Sequence, residues 1–246
     1  MPADRILILG GTREARELAS LLTAEGRSVV TSLAGVTRTP ALPPGEVRTG
    51  GFGGAGGLLS YLRREAIALV VDATHPFAAR MSANAHEASA AAGVPLLRLE
   101  RPPWQPGPGD RWTPAETVAA AAAALPPGAR VLLTIGRKEV APFFAKGDLG
   151  GIARMIEETA EPLPPNWSLL MERPPFSVAY ERKLLVDNAL AWLVTKNAGG
   201  GETEAKLVAA RELGLPVIMV ARPPKPRAVI QASAGEMAVA IRRLLS

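Results

Sequence analysis

Arg5-Ile6-Leu7-Ile8-Leu9-Gly10-Gly11-Thr12-Arg13-Glu14-Ala15-Arg16-Glu17-Leu18-Ala19 decides how the rest of the chain is read. A β-rich, mostly apolar run breaks at two glycines and enters a helical pattern. That is the layout of a phosphate-binding turn. Glycine lets the backbone come close, and the helix N-terminus offers unpaired N–H groups and partial positive charge. The turn departs from the dinucleotide fingerprint G-x-G-x-x-G. Thr12 stands at the second glycine position and Ala15 at the third, so the same residues also fit a tight strand–helix turn with a cap.

Outward from this turn, β-rich runs alternate with helical patterns. Strands are expected at 5–9, 28–33, 46–49, 68–73 and 95–99, and helices at 14–24, 54–64, 78–92 and 114–125. The clearest strands are continuously apolar, as parallel strands covered on both faces are. Pro102-Pro103-Trp104-Gln105-Pro106-Gly107-Pro108-Gly109 is a loop, because so many prolines forbid a regular element. Pro126-Pro127-Gly128 is a second break and the expected domain boundary. The pattern then restarts, with strands at 130–135, 151–156, 168–171, 192–196 and 216–220. Helices are expected at 138–145, 178–191, 204–213 and 235–245. The expectation is an α/β protein of two Rossmann-like, doubly wound domains, 1–127 and 128–246, with mainly parallel sheets and a cleft between them. Val229-Ile230-Gln231 could be an edge strand of either half.

Composition narrows the function classes. The chain has 246 residues, of which 48% are hydrophobic and only 4% aromatic, so an aliphatic core is expected. The absence of cysteine excludes disulfides, thiolate catalysis and iron–sulfur ligation. With two histidines, His75 and His86, no metal site is expected. No apolar run is long enough to cross a membrane and no signal-peptide layout opens the chain, so the expectation is a cytoplasmic protein without a membrane partner. The net charge of +5 points to an anionic partner. The arginines are scattered and lack interleaved aromatics, which argues against nucleic acid and for a phosphorylated cofactor or a polycarboxylate.

The second strand ends Val30-Thr31-Ser32-Leu33 without the acid that holds ribose hydroxyls in NAD-binding folds. Ser32 could instead donate to a 2′-phosphate. Arg13, in the first helical turn, opposes the helix dipole and is better placed for a phosphate than for stability. A dinucleotide ligand would therefore be NADPH rather than NADH. Gly50-Gly51-Phe52-Gly53-Gly54 reads as a loop lining the cofactor at the same sheet edge, or as a plain flexible connection.

Further candidates lie at strand ends. Asp72-Ala73-Thr74-His75-Pro76-Phe77-Ala78 closes the fourth strand, with Pro76 fitting a first helical position. Thr74 and His75 would face the ligand; His75 could bind an anion, move a proton or merely cap the helix. His86, mid-helix, reads as surface. In the second half Gly136-Arg137-Lys138 and Lys196-Asn197-Ala198-Gly199-Gly200-Gly201 put cations beside glycine at carboxyl edges, and Arg173 is a third strand-end cation. A lysine ending an apolar strand is paired with an anion, catalytic, or snorkelling to solvent. There is no Tyr-x-x-x-Lys pair, Walker lysine or serine elbow.

The chain resembles the precorrin-6A reductases of cobalamin biosynthesis, nearly end to end. The resemblance rests on Ile8-Leu9-Gly10-Gly11-Thr12 with Glu14-Ala15, the Gly50-Gly51 segment and Ala73-Thr74-His75-Pro76-Phe77-Ala78. It continues in Thr134-Ile135-Gly136-Arg137, Thr195-Lys196-Asn197 with Gly199-Gly200, Lys206, Ala209-Ala210-Arg211-Glu212-Leu213-Gly214 and Pro216-Val217. Ala198 stands where the family often has serine, so a hydroxyl role there is absent or left to water. The resemblance implies an NADPH-dependent reductase. Its substrate would be a metal-free corrin precursor bearing acetates and propionates, and its product could be handed over transiently to other pathway enzymes. The expected cofactor site is Gly10, Gly11, Thr12, Arg13, Ser32, Gly51, Phe52, Thr74, Arg137, Asn197 and Gly199. Lys196 and His75 are the candidate catalytic groups, with the proton coming from Lys196, His75 or water. Two other classes remain open: a non-redox tetrapyrrole-modifying enzyme and an NADP(H)-binding regulatory module.

Overall fold

A computed structural model describes residues 4–35 and 42–245. The chain divides into two units, Met1–Pro102 with Pro223–Ser246, and Pro103–Arg222. In chain order the first stretch carries β1 (Arg5–Leu9), α1 (Arg13–Ala24), β2 (Val29–Leu33), β3 (Glu46–Thr49), α2 (Ala55–Arg64), β4 (Ile67–Asp72), α3 (Ala79–Ala92) and β5 (Leu96–Leu99). The middle stretch carries β6 (Arg111–Ala115), α4 (Val118–Ala123), β7 (Arg130–Thr134), α5 (Ala141–Phe144), β8 (Gly150–Met155), β9 (Trp167–Met171), α6 (Val178–Asp187), β10 (Trp192–Lys196), α7 (Ala205–Glu212) and β11 (Pro216–Val220). The chain closes with β12 (Val229–Gln231) and α8 (Ala234–Leu244).

Each unit holds one six-stranded sheet, ordered β12-β5-β4-β1-β2-β3 in the first and β6-β11-β10-β7-β8-β9 in the second. Every strand pair in both sheets is parallel. Both orders are the doubly wound 3-2-1-4-5-6 arrangement. The sixth strand of each is exchanged along the chain. β6 follows β5 in sequence yet completes the second sheet, and β12 follows β11 yet completes the first. The expected α/β fold with two Rossmann-like sheets is therefore present.

The units do not divide at 127/128. The expected helix over 114–125 is instead edge strand β6 followed by the six-residue α4, and both belong to the second unit. Pro114 sits inside β6, which an edge strand tolerates because one side of it has no ladder to feed. The segment 229–231 joins the first sheet, pairing Val229 with Leu97 and Gln231 with Leu99. A buried pair secures this return. Arg98 donates through Nε to Asp72 Oδ2 at 3.1 Å and through Nη1 to the Pro226 carbonyl at 2.9 Å.

Strand alternation builds the first core. Ile6 and Ile8 of β1 pack with Leu18 and Leu22 of α1 and with Met237 and Ile241 of α8. Leu7 and Leu9 point the other way, onto Leu58 and Leu62 of α2 and Ala85 and Ala88 of α3. The apolar stripe of α8 thus finds its partner on the first sheet, which is why the C-terminal segment belongs there. In the second unit, Leu132, Leu193 and Val217 pack with Leu185 of α6, Leu207 of α7 and Trp104. Among the described residues no helix is long and apolar enough to cross a membrane.

Candidate active site

Because the strands of each sheet are parallel, their carboxyl ends share one edge. At that edge of the first sheet, β1 runs out into Gly10-Gly11-Thr12. Gly10 N–H donates to the Ser32 carbonyl at 2.9 Å. A Cβ at Gly10 would lie 2.8 Å from Thr31 Cγ2, so the turn is packed tightly against β2. Gly11 has φ +113°, a conformation that disfavours other residues, and a Cβ there would meet nothing within 4 Å. Thr12 caps the twelve-residue α1: its Oγ1 accepts from Ala15 N–H at 3.1 Å and donates to the Ala73 carbonyl at 2.9 Å. One hydroxyl therefore fixes both the helix start and the end of β4. Gly11 borders open space and leads into the capped start of α1, an arrangement able to take an anion such as a diphosphate. Arg13 pairs with Glu17 one turn further along, Nε to Oε1 at 2.6 Å.

Ser32 is buried at the end of β2. It lies across from Arg48 in the ladder of β2 with β3. Arg48 Nη1 donates to Ser32 Oγ at 2.7 Å and to the Gly50 carbonyl at 3.1 Å, and Nη2 donates to the Gly51 carbonyl at 3.2 Å. Its guanidinium lies 3.8 Å from the Phe52 ring centroid. Phe52 in turn meets Tyr61 edge-to-face at 5.2 Å. Arg48 thus ties Ser32, Gly51 and Phe52 into one cluster. Sequence reasoning passed over it. The available signal was an arginine two residues before the glycine run, on the strand after the one ending in Ser32.

At the end of β4, Asp72 Oδ1 accepts from Thr74 Oγ1 at 2.6 Å and from Thr74 N–H at 3.3 Å. Burial pushes the Asp72 carboxyl up, but hydrogen bonds from Thr74 and Arg98 and the charge of Lys225 outweigh it and hold the pKa below the ordinary value. The Thr74 hydroxyl hydrogen is thus spent on Asp72. Pro76 does not open the helix as expected. It lies in a turn closed by Ala78 N–H to the His75 carbonyl at 2.8 Å, and α3 begins at Ala79. His75 is exposed and its Nδ1 accepts from Phe77 N–H at 3.3 Å, so the ring braces this turn. His86 is exposed on α3.

The second sheet gathers the other candidates. Lys196, at the end of β10, forms an ion pair with Glu139, which follows the turn after β7. Arg137 pairs with Glu157 at 3.3 Å. The Asn197 side chain is engaged on both sides with the Trp104 backbone: Oδ1 accepts from Trp104 N–H at 2.8 Å and Nδ2 donates to the Trp104 carbonyl at 3.0 Å. Its amide therefore braces the protein itself. Trp104 Nε1 donates to the Gly200 carbonyl at 3.1 Å, and Lys206 Nζ donates to the Thr203 carbonyl at 2.7 Å. Arg222 donates to the carbonyls of Asn197 and Ala198. The glycine loop carrying Gly199 is thus clamped by three side chains, those of Trp104, Lys206 and Arg222, none of which the sequence reading had given this task.

Lys206 is itself unusual. Burial, together with the charge of Arg154, pushes its pKa down to about 7, against the opposing effect of Glu181. Its Nζ stands 5.0 Å from the Trp104 ring centroid. Arg154 and Glu181 form a buried bidentate pair at 3.1 and 2.7 Å.

Comparison with known proteins gives the family. The family model described as precorrin-6x reductase CbiJ/CobK matches residues 5–243. The chain is 50% identical over 226 residues to the precorrin-6A reductase of Rhodococcus erythropolis, covering 91% of each. It is 48% identical over 224 residues to that of Rhodobacter capsulatus, covering 90% of this chain and 89% of the relative. A solved structure of CobK precorrin-6A reductase superposes with a TM-score of 0.92 at 45% identity, over 98% of this chain and 96% of the other. With its two six-stranded parallel sheets and a match spanning nearly its whole length, the chain belongs to the precorrin-6x reductase family.

Proposed function

We propose that the protein reduces one double bond of the precorrin-6A macrocycle in cobalamin biosynthesis, with NADPH as the reductant. The observation that carries the choice of NADPH is the Arg48–Ser32 contact at 2.7 Å, at the strand end where an NAD-binding fold would hold an acid. A guanidinium and a hydroxyl suit a dianionic 2′-phosphate; a carboxylate there would repel it. Gly10, Gly11 and Thr12 would hold the diphosphate at the N-terminus of α1, and Gly51 and Phe52 would line the nucleotide.

When bound, the dinucleotide supplies a hydride to the macrocycle. The protein's part is to orient the two reactants and to manage one proton and the substrate's carboxylates. In the second unit Lys196 is the group best suited to the proton, and Arg137 to a carboxylate. The clamped loop at 197–203 holds Lys196 and its neighbours in place. His75, braced on Phe77 N–H, is assigned to shaping the turn beside the nucleotide.

The test is an anaerobic assay following NADPH absorbance and the macrocycle's spectrum, after fluorescence titrations with NADPH and NADH. The expected result is tighter binding of NADPH and its oxidation only when the tetrapyrrole is added. Equal binding of the two nucleotides would remove the role given to Arg48. Binding without turnover would leave a nucleotide-binding module in place of a reductase.

A further inference from the structure

The strand-end cations of the second unit are met by acids from different places. Arg137 reaches Glu157, just beyond β8. Lys196 reaches Glu139, in the segment that follows β7. The parallel ladder of β7 and β10 sets Thr134 beside Thr195, so the two segments leave the sheet as neighbours at one edge. The Lys196 side chain is 13% exposed and that of Glu139 is 40% exposed. The pair therefore runs from solvent at the carboxylate to a largely enclosed ammonium.

Two physical consequences follow. The part-exposed carboxylate gives the largely enclosed ammonium a fixed partner and a direct path to solvent. An ammonium already compensated by a carboxylate is also a poorer anchor for a substrate carboxylate than an uncompensated one. Both separate Lys196 from a purely anion-binding role.

We propose that Glu139 is a relay and positioning residue, which holds the Lys196 side chain in place and through which Lys196 is reprotonated from solvent during turnover. The proposal rests on the reductase reading above. Hydride addition leaves the macrocycle with an extra electron pair conjugated to the neighbouring ring carbon. That pair forms the new C–H bond with a proton from the Lys196 ammonium, whose N–H bond breaks and leaves its electrons on nitrogen. A proton from water reaches a Glu139 carboxylate oxygen and passes to the neutral amine, restoring the ion pair. The sum is one hydride and one solvent proton added across one double bond, with no further reductant.

The experiment compares wild type with Glu139→Gln, an exposed change that keeps the side chain's size. Turnover is expected to fall about 10- to 100-fold, at or below the lower limit for groups that transfer the proton directly. The KM for the tetrapyrrole and the Kd for NADPH should stay within about twofold. The solvent deuterium isotope effect on kcat should rise, and added formate should restore part of the rate of Glu139→Ala, whose truncated side chain leaves room for it. Unchanged kcat overturns the relay. So does a raised KM for the tetrapyrrole with kcat retained, which would make the pair a substrate anchor. A loss of kcat with no isotope effect and no formate rescue overturns it too, leaving a structural contact. Wild type that never oxidises NADPH with the tetrapyrrole removes the reductase reading, and the relay with it, whatever the variant does.

Discussion

The two units share one strand order and differ at the turn that follows the central strand. In the first, β1 leads through Gly10-Gly11 into a twelve-residue helix capped by the Thr12 hydroxyl. In the second, β7 leads through Gly136 into Arg137, Lys138 and Glu139, and the helix beyond has four residues and no side-chain cap. A long capped helix concentrates unpaired N–H groups and partial positive charge where an anion can sit. A four-residue helix does neither, and the second unit offers formal charges instead. The comparison teaches that topology sets where loops converge, while the loops decide the ligand. On the reading proposed above, the first unit would take the dinucleotide, and the second the carboxylate-bearing reactant and a proton.

The largest expected effect tests the second unit. Lys196→Ala should lower kcat about 100-fold or more, with NADPH affinity within about twofold, in a stopped-flow assay paired with a binding titration. Equal losses in both would place Lys196 at the nucleotide and erase the division of labour. Next, Arg48→Ala should weaken NADPH about 10- to 100-fold, as expected for losing a charged hydrogen-bond partner, while NADH binding is nearly unaltered. Calorimetry with both nucleotides reads it, and a similar loss for each would mean that Arg48 only supports the Gly50–Phe52 loop.

Lys206 provides a smaller, pH-dependent effect. Its pKa is about 7 in the folded chain, against 10.5 ordinarily. Between these values the unfolded chain binds the proton and the folded chain does not, so stability rises with pH. The cost of burying this lysine is full below pH 7 and fades toward pH 10.5. Urea unfolding at pH 7 and pH 9 should show a gain with pH in wild type that is about 2 kcal/mol smaller in Lys206→Met. An identical gain in the variant would assign the pH response to other groups. Smallest of all, Thr12→Ala should cost about 1 kcal/mol through loss of the cap, read from the thermal midpoint. NADPH affinity should fall modestly with it, because the same hydroxyl ties α1 to Ala73.

The strands flanking the first turn were legible because burial on both faces leaves a continuous apolar run, as in Ile6–Leu9 and Val70–Val71. β6 was not, because it is a largely exposed edge strand holding Arg111 and Pro114, and its residues resemble a helix start. The candidates Gly10, Gly11 and Ser32 were readable from local chemistry. Arg48 and Glu139 were not, because the roles proposed for them depend on cross-strand neighbours: Ser32 sits opposite Arg48, and Lys196 stands on the strand beside β7. The engagement of the Asn197 side chain was hidden for the same reason. Sequence marks it as a polar group in a glycine loop, and only Trp104, distant in sequence, occupies its amide.

Sequence by itself determined most of the elements, their parallel α/β character, the glycine turn before α1 and the family resemblance, since each is written in local pattern: apolar runs, glycines and helix starts. Tertiary structure alone decided which sheet each sixth strand completes, where the units divide, and which acid meets which base. Those depend on contacts between residues far apart in the chain, such as Arg98 with Pro226 and Trp104 with Gly200, and no local spacing encodes them.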